Sequence, residues 1–216
     1  MKMVKRKVGL TAVCVVGMLL GGLSGVSRAA DAKGNFALHG IGAESCGSVI
    51  QQMLHGEPAE RTVLEAWTLG FLTGENVFQK NTFDASVIDQ PQVLTNIVEG
   101  VCQQHPRATV ASAVAAVFRG MHAERQRAQS PYVNVKNGKY ELGIRKNVLI
   151  EVQQALIKMG YLHGNADGVY GQDTQDAIDA FQKAHSIPVT GVPDPETVLR
   201  SIVLADDKGK PASKAK

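Results

Sequence analysis

A glycine-studded bend, Tyr161 to Gly171, sits between two segments whose apolar residues repeat at helical spacing, and few folds accommodate that order. Ahead of it, Val148, Leu149, Val152, Leu156 and Met159 recur at intervals of three and four, on one face of a helix that must be buried. Gly160 follows at once, where helices end in a left-handed residue that glycine adopts cheaply. In the bend, Gly164, Gly168 and Gly171 are expected to supply unusual backbone angles, and Asn165 and Asp167 turn chemistry. Asp173 is placed to cap a second helix with the stripe Ala177, Ile178, Ala180, Phe181 and Ala184, which Pro188 stops. Asp194 and Pro195 announce a third, with Val198, Leu199 and Ile202 facing inward. Three short helices can then share one small core.

The order Val152-Gln153, Leu156, Gly160-Tyr161, Gly164, Asp167-Gly168, Tyr170-Gly171, Thr174, Ala177, Phe181-Gln182, Thr190-Gly191, Asp194 and Thr197 resembles the three-helix peptidoglycan-binding domain of bacterial cell-wall proteins. Val152 stands where leucine is usual, and His185-Ser186-Ile187 replaces a commoner glycine-leucine step; neither removes a core position. The resemblance implies non-catalytic attachment to peptidoglycan over residues 147–203, beside another module that acts at the wall. Most of the motif is structural on its own chemistry: the glycines shape the loop, Asp167 and Thr174 tie it to the backbone, and Phe181 fills the core. Sugar and peptide ligands favour shallow grooves with an aromatic face and a few polar groups. The candidates for touching peptidoglycan are therefore Tyr161, His163, Asn165 and Tyr170, with Asp167 beside them.

Residues 1–30 begin with Lys2, Lys5, Arg6 and Lys7, run through an apolar stretch from Val8 to Leu23 and end Ser27-Arg28-Ala29-Ala30, the pattern of a secretory signal peptide. The four glycines within the run and its small-residue end argue against a retained anchor, and Val13 before Cys14 is a poor lipidation context. Five of the 23 Lys and Arg lie in this segment and none of the 20 Asp and Glu, so its removal leaves 18 basic against 20 acidic residues. No general electrostatic case for nucleic acid survives, and no second apolar run is long enough for a bilayer. Export to an oxidising compartment makes a Cys46–Cys102 disulfide the expected state of the two remaining cysteines. Such a bridge closes a loop of roughly sixty residues, worth about 4 kcal/mol by chain entropy.

Residues 31–129 read as a helical domain. Cys46 opens a short helix that ends near Gly56-Glu57-Pro58, and a longer one starts at Ala59 with the stripe Val63, Leu64, Trp67, Phe71 and Leu72. Ala66, Gly70 and Gly74 line up at four-residue intervals on a neighbouring face, a device for close approach of another helix. Glu75 to Gln90 shows no period and is expected to cross the surface. Pro91 starts a helix carrying Cys102, and Thr109 caps a last one with Ala113, Val114, Val117, Phe118 and Met121 inward. Cys46, the Trp67-Thr68-Leu69-Gly70-Phe71 segment with Gly74 and Asn76, and Cys102-Gln103-Gln104-His105-Pro106 loosely resemble HdeA-type acid-stress chaperones and immunity proteins against wall-attacking effectors. That resemblance implies a protein-binding role without catalysis. Residues 130–146 are either linker or a hairpin turning at Asn137-Gly138 with Val135 opposite Tyr140 and Val133 opposite Leu142. Residues 204–216, rich in Lys, Asp and small residues, are expected to be a disordered tail.

The fold class is thus all-α: a disulfide-stapled bundle plus a three-helix domain. No catalytic, metal or cofactor constellation stands out. The histidines His39, His55, His105, His122, His163 and His185 lack ligand spacing, no nucleophile-elbow motif occurs, and Glu65 beside Trp67 reads as a solvated helix-face residue. The leading expectation is an exported adaptor, in the periplasm or cell wall, with peptidoglycan and an unknown protein as partners. The alternatives are a cell-wall hydrolase or its accessory subunit targeted by the C-terminal domain, and a protein–protein module that has lost carbohydrate affinity.

Overall fold

The disulfide forms as expected: Cys46 and Cys102 are bonded with their Cα atoms 4.8 Å apart. It joins α1 (Cys46–His55) to α3 (Pro91–Gln104), and both half-cystines are buried. The computed structural model describes residue 31, residues 36–55 and residues 59–209. The expected leader over 1–30, with Cys14, lies outside these. Among the described residues there are seven α-helices and one hairpin, and no helix is long and apolar enough to cross a membrane.

Around the disulfide, α2 (Ala59–Phe78) and α4 (Val110–Gly120) pack with α3, preceded by a short 3-10 turn, Gly40–Ala43. Thr109 caps α4 by accepting the Ser112 N–H at 3.2 Å, and all five expected inward residues of that segment are buried. Trp67, Phe71 and Phe118 form an aromatic ladder with centroid spacings of 5.7 and 5.9 Å. Trp67 lies so close on Gly42 that a Cβ there would sit 2.1 Å from the indole, and its Nε1 donates to the His39 carbonyl.

Three expectations for this region need correction. Val63, placed in the inward stripe of α2, is exposed; Leu64 is fully buried as expected, Trp67, Phe71 and Leu72 are half-buried, and the polar Thr68 is buried beside them. Ala66 and Gly70 face solvent, and no atom lies within 4 Å of a Cβ built at Gly70 or Gly74, so no neighbouring helix uses the small-residue face. The segment after Glu75 does not skim the surface: α2 continues to Phe78, and Asp84 to Ile88 are buried. Asn76 Oδ1 accepts the Ala85 N–H at 2.7 Å, Asp84 Oδ1 accepts that of Ser86, and the Ser86 hydroxyl both accepts the Ile88 N–H and donates to its carbonyl. These bonds replace the water that a buried irregular backbone would otherwise need.

The hairpin is present, with β1 (Tyr132–Asn137) antiparallel to β2 (Tyr140–Arg145). Its register is two residues from the expected one: Val135 pairs with Leu142 and Val133 with Ile144. The two loop residues are Gly138 and Lys139, and only Gly138 has positive φ, at +58°, as a type II′ turn requires and an Asn-Gly type I′ turn does not. A two-residue shift keeps every side chain on its face, so Val135 and Ile144 are still buried. The hairpin is therefore packed structure.

From β2 the chain enters α5 (Lys146–Met159) directly, followed by α6 (Gln172–Ala184) and α7 (Pro195–Gly209). Leu149, Val152, Leu156, Ile178, Phe181 and Val198 make their shared core, while Leu199 and Ile202 are only half-buried. Asp194 caps α7 by accepting the Thr197 N–H at 2.9 Å. The helix runs on to Gly209, past the point where a tail is expected, because Ala205 is buried on its inner face; residues 210–216 lie outside the described part. The described residues from Leu38 to Gly209 form one compact unit. At the end of β2, Arg145 reaches Asp84 at 3.5 Å and Asp89 at 3.2 Å, with its guanidinium 5.1 Å and 4.8 Å from the ring centroids of Phe83 and Tyr132.

Candidate functional site

The bend between α5 and α6 is built around one buried side chain. Gln153, on the inner face of α5, accepts the Gly168 N–H at 2.7 Å through its carbonyl oxygen. Its amide donates to the Val169 carbonyl at 3.0 Å, Thr174 Oγ1 at 3.1 Å and Asp167 Oδ1 at 3.4 Å. Gly168 has φ +71°, and a Cβ there would strike Lys146 and Ile150, so the loop backbone lies flat on α5. Gly160 and Gly164 also take positive φ as expected, at +86° and +115°. Gly171 does not: it is extended and serves as N-cap of α6, which places Asp173 in the first helical turn instead of at the cap.

The bend between α6 and α7 repeats the device. Gln182 accepts the N–H groups of Thr190 and Gly191 at 2.8 and 3.0 Å and donates to the Val192 carbonyl and Thr197 Oγ1 at 3.0 and 2.9 Å. In each bend, a left-handed glycine is followed by valine and, six residues after the glycine, by a buried threonine that meets the glutamine: Gly168-Val169 to Thr174, and Gly191-Val192 to Thr197. The role of these two glutamines is not apparent from helical periodicity, which reads them only as polar residues on otherwise apolar faces. The doubled glycine-valine-threonine spacing is the signal that could have exposed it.

The structure brings three of the five candidate residues together. His163, Asn165 and Asp167 line a groove of about 380 Å³ with Gln172 and Asp173 from the start of α6, and all five are exposed. The Val169 N–H bonded to Asp167 Oδ1 at 2.9 Å, helped by Gln153, holds that carboxyl below the usual aspartate range, so it is an anion at neutral pH. Tyr161 and Tyr170 are elsewhere. Tyr161 packs edge-on against Phe181 at 5.6 Å with its hydroxyl 3.3 Å from His185 Nε2. Tyr170 donates to the Gly191 carbonyl at 2.7 Å, and burial, followed by the charge of Asp179, pushes its pKa up to about 12. The two tyrosines brace the bends, and the groove is polar, suited to hydroxyl and amide ligands by hydrogen bonding.

Among the described residues, no group of three His, Cys, Asp or Glu converges as metal ligands. What the fold defines is a small three-helix module with two clasped bends, joined to a disulfide-bonded helical bundle. Residues 145–200 match the model of the family described as "Putative peptidoglycan binding domain". No curated protein and no solved structure matches the chain. The likeness of the helical bundle to HdeA-type chaperones or immunity proteins finds no support in these comparisons.

Proposed function

We propose that this is an exported, non-catalytic wall-attachment protein. Residues 145–200 hold peptidoglycan through the groove of His163, Asn165 and Asp167, and the disulfide-bonded bundle presents a surface to a protein partner at the wall. The observation that carries this reading is the family match falling on a segment whose two bends are clasped by buried glutamines, which leaves the polar edge of the first bend rigid and exposed. A preorganised polar edge loses little entropy on binding a flexible glycan or stem peptide. The leader-like residues 1–30 and the Cys46–Cys102 disulfide support an oxidising compartment outside the cytoplasm.

The test is co-sedimentation of the chain, purified from residue 31 onward, with insoluble peptidoglycan. The intact protein is expected in the pellet and a His163→Ala/Asn165→Ala double variant largely in the supernatant. An intact protein that stays soluble while folded would end the peptidoglycan reading. Release of soluble muropeptides during the same incubation would instead identify a hydrolase.

A further inference from the structure

A second site lies away from the peptidoglycan groove. Where α7 passes α3 and α4, a cleft of about 640 Å³ is walled by Ile97, Val117, Met121, Leu199, Ile202 and Val203. It shares Glu124, Ile202 and Asp206 with an adjoining cavity of about 310 Å³, to which Glu151 and Lys158 also contribute. The apolar space therefore adjoins three carboxylates and one lysine, and His105 also lines it. Neither cavity shares a lining residue with the groove at the first bend.

Glu151 makes the acidic end unusual. Its Oε1 accepts the Gln126 amide at 2.9 Å, but Oε2 is buried with no hydrogen-bond partner. A buried carboxylate oxygen without a donor is costly, and because Glu151 lines the smaller cavity, an ammonium held there offsets that cost through the charge of the carboxylate as a whole. The carboxylates do not converge as metal ligands, and the apolar walls offer nothing to a hydrated ion. The larger cavity falls within the roughly 300–1,000 Å³ of small-molecule sites.

We propose that this cleft binds an amphiphilic amine, with an aliphatic body between α7 and the α3–α4 pair and an ammonium head against Glu151, Glu124 and Asp206. The apolar walls select the body by removing it from water, and the acidic end rejects a carboxylate or phosphate head by like-charge repulsion.

Calorimetric titration of the full chain from residue 31 with octylamine, octanol and octanoate tests this. Octylamine is expected to bind with one-to-one stoichiometry, about tenfold tighter than octanol, with octanoate weakest. Glu151→Gln should remove about tenfold of the octylamine affinity and leave octanol unchanged, because the amide keeps shape but loses charge. Val203→Trp, at a position 57% exposed and so tolerant of bulk, should narrow the cleft and weaken both ligands. If Glu151→Gln does not fold, Asp206→Asn at an exposed position gives the same readout. Equal affinity for all three head groups, or octylamine binding untouched by Val203→Trp, would overturn the proposal. So would failure of octylamine to bind while a helical leucine–lysine peptide does, which would assign the cleft to a protein segment.

Discussion

Gln153 and Gln182 are fully buried polar side chains, and such residues normally weaken a core unless every polar atom is met. Here each amide meets backbone that would otherwise be orphaned in a bend, so the glutamine substitutes for secondary structure. Replacing Gln153 by Leu keeps the volume but strands the buried Gly168 N–H and frees Thr174. The expected cost is about 2–3 kcal/mol in chemical unfolding. The same variant should also lose peptidoglycan co-sedimentation under conditions where it remains folded, because the edge carrying His163, Asn165 and Asp167 is no longer held. A variant that unfolds more easily yet pellets normally would separate the clasp from binding. The reason these residues escape a periodicity argument is physical: a pattern of apolar positions marks what is removed from water, and a satisfied amide is removed from water without being apolar.

Elements whose apolar faces carry their own period were legible in advance, as were those closed by local chemistry: α4 behind Thr109, α7 behind Asp194, and the bridge between α1 and α3. Three features were not. The face of α2 is set by a 3-10 turn and by the indole lying on Gly42, contacts without a periodic signature. The buried run from Asp84 to Ile88 is stitched by Asn76, Asp84 and Ser86, and the hairpin register follows one glycine dihedral. The open face of α2 makes a prediction of its own. With no neighbour at its Cβ, Gly70→Ala should stabilise the isolated protein by about 0.5–1 kcal/mol in denaturant titration, the ordinary gain for an exposed helix interior. A loss would mean that a second molecule occupies this face in solution. The bridge predicts the reverse sign: Cys46→Ala/Cys102→Ala should cost about 4 kcal/mol, since the crosslinked residues are 56 positions apart. A loss below 1 kcal/mol would show that the unfolded chain is already constrained.

Taken together, the bundle, hairpin and three-helix segment share one continuous set of buried apolar residues running from Ile41 to Val198. Charged groups are caught in this packing, and they give the stability of the molecule a pH dependence whose sign can be worked out. Burial raises the Asp84 carboxyl despite the opposing bonds from Ser86, Asn76 and Arg145. It likewise raises Glu151, where the Gln126 amide opposes the shift, Glu124 adds to it and Arg127 again opposes it. A folded state that holds protons more tightly than the unfolded chain gains stability as pH falls, and loses it as pH rises through the raised folded values. Exposed Asp167 and Glu141, both held below their ordinary range, act in the opposite direction. Comparing Glu151→Gln with the natural sequence isolates one group from this sum. At pH 7 the variant should melt higher, because the amide keeps the volume of the carboxyl without the charge that burial penalises. Toward pH 4, where Glu151 is protonated, the two melting curves should converge. A variant that melts lower at both pH values would mean that the ionised carboxylate is stabilised by its surroundings, and the unpartnered oxygen at the acidic end of the cleft would then have a donor.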